Sequence, residues 1–332
     1  MARFNSLIRP TRRTWGVGFP VVGAAWLLIA GCTTLSSPPP IASSTEDWSF
    51  EGADGSRITS EHYVLHTTCT SAPLLRAMPG FLETCWHEYT QLVPCEMPPD
   101  RPMETYLFKA RWQWDRFTDR FSPQRAATYK RIRSGGYSER GITVSHYSSR
   151  RGTLAVLAHE GLHQYLELTR GERIPAWINE GLATRFEAFE LDRNNLPVFK
   201  PEMNFLRRNN LREALTSGSL LPMEDILGTN AGIELHKTTA DVRTYYAQAW
   251  SLVMYLLQPP SANPYSEGFR RLLQDVGTET MLRNARAYLA TDTDGTMTPG
   301  EAVFRAYVCD DLAAFQADYE AFVQKLLDMR AS

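Results

Sequence analysis

The chain has 332 residues, of which 43% are hydrophobic and 22% are charged. This composition is typical of a globular protein, and a chain of this length can bury a sizeable core without metals or disulfides. The formal net charge of −2 provides no bulk field that would attract a polyanion. A nucleic-acid partner is therefore not expected.

Residues 1–31 have the pattern of a bacterial secretory signal, in which basic residues precede an apolar run that ends in small residues. The basic residues are Arg3, Arg9, Arg12 and Arg13, and the apolar run covers residues 15–30. Leu-Ile-Ala-Gly-Cys at 28–32 resembles a lipobox, which implies cleavage before Cys32 and a lipid anchor on its thiol. The alternative is a transmembrane helix, but the run is shorter than the ~20 residues of a span and contains glycines.

The mature protein is therefore predicted to be a membrane-anchored lipoprotein on the exported side of the cell envelope, in the periplasm or at the outer membrane. Residues 32–55 contain Ser-Ser-Pro-Pro-Pro at 36–40 and are predicted to form a flexible tether. Four further cysteines are Cys69, Cys85, Cys95 and Cys309. Exported proteins retain disulfides, and a bridge among the first three is expected, although the pairing stays open.

An α+β fold is predicted from the order of the elements behind the tether. Residues 56–150 form its N-terminal α/β part, with strands near 62–68, 105–108 and 141–145, helices near 74–92 and 112–121, and a turn at 135–137. Residues 151–330 form a mainly helical part, with helices near 153–168, 175–190, 202–215, 240–258, 265–276, 278–290, 299–307 and 311–329.

The sequence Leu-Ala-His-Glu-Gly-Leu-His-Gln at 157–164 contains the pattern H-E-x-x-H within a helical apolar repeat. Residues four apart lie on one face of a helix, so His159 and His163 can direct two imidazoles at one zinc ion. Glu160 would reach a water activated by that metal, which makes it the candidate general base. The alternative interpretation is a surface helix that carries two histidines by chance.

A third ligand is predicted at Glu180, seventeen positions after His163, in the sequence Pro-Ala-Trp-Ile-Asn-Glu-Gly-Leu-Ala at 175–183. A helix that opens at Pro175 could pack across the first helix and complete a His₂Glu set for one Zn²⁺ per chain. The alternative is a solvent-facing glutamate. The apolar neighbours Trp177 and Leu182, with the small Gly181, favour close packing against the metal helix instead.

These two motifs together resemble the gluzincin metallopeptidases, and in particular the peptidase MA-like family of exported bacterial proteins. The resemblance implies a zincin-like fold in which His159, His163 and Glu180 bind zinc. The second motif is also similar to the W-x-x-E-G-x-A of aminopeptidases related to aminopeptidase N. Their upstream G-x-M-E-N loop is absent from this sequence, which puts an aminopeptidase activity in doubt.

A tyrosine that stabilises the oxyanion is implied by the same resemblance in the sequence Tyr-Tyr-Ala-Gln-Ala-Trp at 245–250. The register against the related aminopeptidases favours Tyr246 over Tyr245, and His236 is a weaker candidate for this role. The alternative is that Tyr246 only packs, because Tyr246, Ala249 and Val253 have the spacing of a helical core face.

The predicted function is zinc-dependent hydrolysis of peptide bonds, with a peptide or protein as substrate and Glu160 as general base. One alternative is a non-catalytic zinc-binding lipoprotein that serves as a scaffold or partner-binding module, although a scaffold has no need of Glu160. Another is a zinc amidase that acts on cell-wall material, which the sequence does not distinguish from a peptidase.

Overall fold

A six-stranded mixed sheet forms the first half of the chain in the computed structural model, which describes residues 41–95, 99–132, 135–229 and 239–328. The strand order is β1-β2-β3-β4-β6-β5. The strands are β1 Ser44–Phe50, β2 Ala53–Thr59, β3 Tyr63–Thr67, β4 Met103–Phe108, β5 Gly136–Glu139 and β6 Ile142–His146. The central strands β3, β4 and β6 are parallel, whereas β1, β2 and β5 pair antiparallel with their neighbours.

Helices connect the parallel strands, because a parallel pair requires a long crossover. These are α1 Ala72–Leu92, α2 Arg111–Phe121 and the short α3 Ala126–Tyr129. Both α1 and the following helix α4, Arg150–Arg170, pack on one face of the sheet, where they share the main hydrophobic core. Helix α2 packs on the opposite face over a second, aromatic cluster that includes Phe108 and Trp114.

The second half of the chain is mainly helical, so the fold belongs to the α+β class as predicted. Its further helices are α5 Ala176–Ala183, α6 Phe205–Ser217, α7 Met223–Gly228, α8 Thr239–Leu256, α9 Ser266–Asp275, α10 Glu279–Leu289, α11 Pro299–Tyr307 and α12 Leu312–Asp328. A two-stranded ribbon of β7 Phe189–Leu191 and β8 Pro197–Phe199 follows α5. Within the described ranges, no helix combines the length and apolar character that crossing a bilayer requires.

The predicted tether extends too far along the chain. Residues 44–50 form β1 and pair with β2 over their whole length, so a flexible segment cannot reach residue 55. The first four residues of β1 are exposed, and only Trp48 and Phe50 pack against the aromatic cluster. A strand held mainly by backbone hydrogen bonds has no strong apolar pattern that the sequence could reveal.

Two local predictions in the central part of the chain are also wrong. Gly136 and Tyr137, expected in a turn, begin the edge strand β5. The helix predicted over 175–190 ends at Ala183 and continues as a 3₁₀ turn over Thr184–Phe186. There the Thr184 hydroxyl donates to the carbonyl of Gly181 at 2.7 Å, and such a side-chain bond competes with the regular helical pattern.

The expected disulfide is absent from the described chain, in which all four cysteines are free thiols. Cys69 and Cys85 are buried in the main core, where a thiol packs as a small apolar side chain. The predicted signal segment, Cys32 and His236 lie outside the described residues.

Close packing of α5 on α8 depends on Gly181. A Cβ at this position would lie 2.5 Å from Val253 Cγ2 and 2.7 Å from the carbonyl oxygen of Ala249. The second contact is with backbone, which cannot move as freely as the end of a side chain. The missing side chain therefore allows the helix that carries Glu180 to approach α8 closely.

We expect Gly181→Ala to lower the free energy of unfolding by about 1–3 kcal/mol, because the added methyl group overpacks this contact. Gly80→Ala is the matched control, since the nearest atom to its new Cβ is the mobile Leu196 Cδ2 at 2.8 Å. That variant should be neutral or gain up to about 1 kcal/mol of helix propensity. Urea unfolding of both variants tests this, and equal stabilities would contradict the packing argument.

Candidate metal centre

Helix α4 presents His159 and His163 on one face, one turn apart. The helix begins after Ser149, whose hydroxyl accepts a hydrogen bond from the amide of Gly152 at 3.1 Å, and it ends at Gly171 with φ of 78°. An N-cap side chain and a C-terminal glycine of positive φ are the usual ends of a helix. Both histidines are thereby placed well inside a regular helix, where their spacing is fixed.

Helix α1 packs against α4 and fixes its position. Tyr89 is fully buried, and its hydroxyl donates to the carbonyl of Ala158 at 2.5 Å. Gly161 leaves room for this ring, because a Cβ there would lie 2.8 Å from the tyrosine hydroxyl. The backbone between the two histidines is therefore held directly against the core.

Helix α5 brings Glu180 to the same point. The Nε2 atoms of His159 and His163 lie 3.1 Å apart, and each lies 3.4 Å from Oε2 of Glu180. Ligand atoms at 2.0–2.1 Å from a tetrahedral zinc ion are separated by about 3.3 Å. The three atoms therefore form a triangle of the size that one face of a tetrahedral site requires, and they constitute a possible metal-binding triad.

The outer nitrogens of both imidazoles face acceptors. Nδ1 of His163 donates to Oδ1 of Asn179 at 2.8 Å, and Nδ1 of His159 lies 2.9 Å from Oε1 of Glu187. These partners favour the tautomer in which Nδ1 carries the hydrogen and Nε2 offers a lone pair. Glu180 Oε2 is also buried, and no described residue forms a hydrogen bond with it. Two lone pairs and a carboxylate oxygen thus converge, an arrangement that suits a cation.

The electrostatics of the site agree with a cation-binding role. Burial would lower the pKa of His159, but Glu180 and Glu187 outweigh it and raise this pKa to about 10. Burial would raise the pKa of Glu180, but the two imidazoles hold it well below its usual range. Protons and a divalent cation therefore compete for the same electron pairs, and the surrounding carboxylates favour positive charge.

Glu160 lies beside the triad, between α4 and the edge strand β5. Its Cγ is so close to Gly136 that a Cβ on this glycine would lie 3.2 Å away. Burial raises the pKa of Glu160, while the charges of His159 and His163 lower it to a smaller extent. The side chain is thus near both imidazoles without belonging to the three-atom cluster.

The ring of Tyr246 also borders the site, and its centroid lies 6.4 Å from that of His159. Burial and the charge of Glu180 raise the pKa of Tyr246 well above its usual value, so the hydroxyl keeps its proton. Tyr245 is fully buried in the main core instead. Of the two tyrosines, Tyr246 is therefore the one whose ring lies next to a candidate ligand.

The remaining histidines of the described chain lie at other places. His62 contacts Glu83 at 2.6 Å, and His66 contacts Glu104 at 3.1 Å. Neither these two nor His87 or His146 belongs to the three-residue cluster. These four histidines therefore lie outside the candidate metal centre.

Three residues of the site were not identified from the sequence, namely Glu187, Asn204 and Arg207. Arg207 donates to both carboxylate oxygens of Glu187, at 2.6 and 2.9 Å, and Asn204 donates to the same carboxylate at 2.8 Å. The only sequence signal is that Glu187 follows Glu180 by seven residues, which is two helical turns. The chain leaves the α-helix between them, so even this spacing would have been misleading.

The comparisons with known proteins add a partial match. A family model described as "Protein of unknown function (DUF1570)" matches residues 153–266. This stretch contains the triad, Glu160 and Tyr246, and it ends at the start of α9. A search of curated proteins gives no match. The match concerns the part of the chain that carries the site, and it is compatible with a gluzincin peptidase.

We expect the purified protein to retain about one zinc per chain after dialysis, because three ligand atoms already have tetrahedral spacing. His163→Ala and Glu180→Ala should each lose the metal, whereas His87→Ala should keep it, since His87 is exposed and outside the cluster. Elemental analysis of the four proteins measures this. Zinc that is absent from the wild type, or present in equal amounts in all variants, would contradict the assignment.

Proposed function

We propose that the protein is a zinc-dependent peptidase of gluzincin type with a zincin-like fold. The observation that carries this proposal is the triangle of His159 Nε2, His163 Nε2 and Glu180 Oε2, with edges of 3.1, 3.4 and 3.4 Å. Three protein ligands leave a fourth position for the reacting species, which is the arrangement of catalytic rather than structural zinc sites. Glu160 beside this triangle supplies the group that a purely structural site does not need.

A zinc ion held by the triad would polarise the scissile carbonyl and increase the acidity of the attacking water. Glu160 accepts the proton of this water and passes it to the nitrogen of the leaving amine. Burial raises the pKa of Glu160 above its usual value, and a base with a higher pKa takes up a proton more readily. Glu180 and the two histidines would hold the ion.

Tyr246 is the proposed donor to the oxyanion that develops on the former carbonyl oxygen. Its raised pKa keeps the phenol protonated, and only a protonated phenol can donate. A donor held ready for charge that appears in the transition state contributes more than one that binds the ground state. The ring position next to His159 supports this role.

The edge strand β5 supports a peptide as the substrate. In the described sheet, β5 is terminal and pairs only with β6, so no other described strand pairs with its outer side. The strand packs against α4, and Gly136 at its start adjoins Glu160. An extended peptide that adds to this edge would be placed beside the general base.

The proposal includes an exported protein anchored in the bacterial envelope through lipid on Cys32. This part rests on the sequence of residues 1–32 and on its resemblance to a lipobox. The peptide or protein substrate would then be encountered on the exported side of the membrane. Cell-wall amides are the second substrate class, and the assays below include them.

We expect Glu160→Gln to bind zinc like the wild type but to lose about 10²–10⁴-fold in kcat, because the amide cannot accept the proton of the water. Glu167→Gln, on the same helix but outside the triad, serves as the control. Turnover is measured on a quenched fluorescent peptide library and, in parallel, on peptidoglycan fragments. A Glu160→Gln protein as active as the wild type would disprove the role of Glu160. Cleavage of the fragments alone would establish an amidase instead of a peptidase.

Tyr246→Phe should reduce kcat by about 10²–10³-fold with a smaller change in KM, since the lost hydroxyl acts mainly in the transition state. Tyr245→Phe provides the comparison, because this neighbouring ring lies in the core and is not adjacent to His159. Steady-state kinetics on the best library peptide separate the two. A larger loss in Tyr245→Phe than in Tyr246→Phe would show that Tyr245, and not Tyr246, is the donor.

A further inference from the structure

The carboxylate of Glu187, whose two oxygens both accept hydrogen bonds, lies behind the candidate metal ligand His159. Oε1 of Glu187 accepts from Arg207 Nη2 at 2.6 Å and faces His159 Nδ1 at 2.9 Å. Oε2 accepts from Arg207 Nε at 2.9 Å and from Asn204 Nδ2 at 2.8 Å. These contacts are all polar, and the ion-pair contact with His159 is the one that leads to the metal site.

The pair formed by Glu187 and Arg207 is largely shielded from water. The side chains of Glu187 and Arg207 are 15% and 14% exposed. Burial would raise the pKa of Glu187, but the Arg207 guanidinium and His159 outweigh it and hold this pKa at about 2. A bidentate arginine fixes the plane of a carboxylate, which a single lysine contact does not.

Arg207 also contacts the other side of the site. Its Cζ lies 4.9 Å from the centroid of the Tyr246 ring, within the range of a cation–π contact. Asn204, which donates to Glu187, is also the N-cap of α6 and accepts from the amide of Arg207 at 3.2 Å. The start of α6 therefore contacts both Glu187, which lies behind His159, and Tyr246.

We propose that Glu187 and Arg207 are positioning residues for the zinc site, and that Arg207 orients His159 through Glu187 and Tyr246 through its ring. This inference rests on the proposed function and assigns two further residues to it. In the described part of the chain, the outer nitrogen of His163 donates to the neutral Asn179. His159 instead has a charged partner, with its Nδ1 at ion-pair distance, 2.9 Å, from Oε1 of Glu187, and such a partner behind a ligand orients the ring.

The test is the zinc dissociation constant of the full-length protein, measured by competition with a chromogenic chelator. Glu187→Gln should weaken zinc binding by about 10–100-fold, which is the usual effect of losing such an outer partner. Arg207→Lys keeps the charge but loses the bidentate geometry and should weaken binding by about tenfold. In addition, Arg207→Lys should lower kcat for the peptide more than it changes KM, because Tyr246 loses its support.

Glu301→Gln is the matched control. Glu301 is another buried glutamate, and it accepts from Arg305 at 2.9 Å within α11 without belonging to the triad. Its loss should lower the thermal midpoint of the metal-free protein without changing zinc affinity. If Glu187 had a purely structural role, Glu187→Gln would likewise lower the thermal midpoint without changing zinc affinity. Zinc affinity thus separates positioning from general stability.

The outcomes distinguish this inference from the proposed function. A wild type that binds no zinc overturns both. A wild type that binds zinc and cleaves peptide, while Glu187→Gln and Arg207→Lys bind zinc within about twofold of it, overturns the inference alone. Should Glu187→Gln fail to fold, the zinc affinity of Arg207→Lys decides by itself.

Discussion

The removal of several charged groups from water is the constraint on which the rest of this structure depends. Two imidazoles and the carboxylates of Glu160, Glu180 and Glu187 share a small, largely buried volume. Each uncompensated charge in such a place costs several kcal/mol. Arg207 neutralises one of the three carboxylates. The remaining two have a combined charge that complements a divalent cation bound between the imidazoles.

This electrostatic requirement dictates how closely the helices pack. Three ligand atoms on α4 and α5 must remain within about 3.4 Å of one another, although their lone pairs repel. Small residues at the contacts allow this approach, namely Gly161 against Tyr89 and Gly181 against α8. The core below the site therefore acts as a rigid support, because dense packing resists small displacements.

The local parts of the site could be predicted from the sequence, because a helix fixes the relation between residues four apart. His159 and His163 needed only that rule, and Glu180 needed one further helix that packs on the first. Glu187 and Arg207 could not be found in this way. Their contact joins a turn after α5 to the first turn of α6, and no periodicity relates the two positions.

The presence or absence of a local periodicity also explains which helices and strands could be predicted. Helices with an apolar repeat, and the buried parallel strands, were placed close to their observed bounds. Strand β1 was missed because its exposed residues are polar and its stability comes from backbone pairing with β2. The edge strand β5 was missed because its glycine indicates a turn in the absence of tertiary contacts. In both cases the pairing partner is the next strand along the chain, so the strands escaped prediction because their apolar pattern is weak, not because the partner is remote.

The most direct test of the central claim is X-ray absorption at the zinc edge of the protein loaded with one equivalent of metal. The account predicts four nitrogen or oxygen ligands at about 2.0–2.1 Å, with the outer-shell scattering of two imidazoles. Cys95 and Cys309 are partly exposed free thiols and are the competing ligands. A sulfur shell at about 2.3 Å, or a spectrum without imidazole scattering, would place the metal elsewhere and contradict the account.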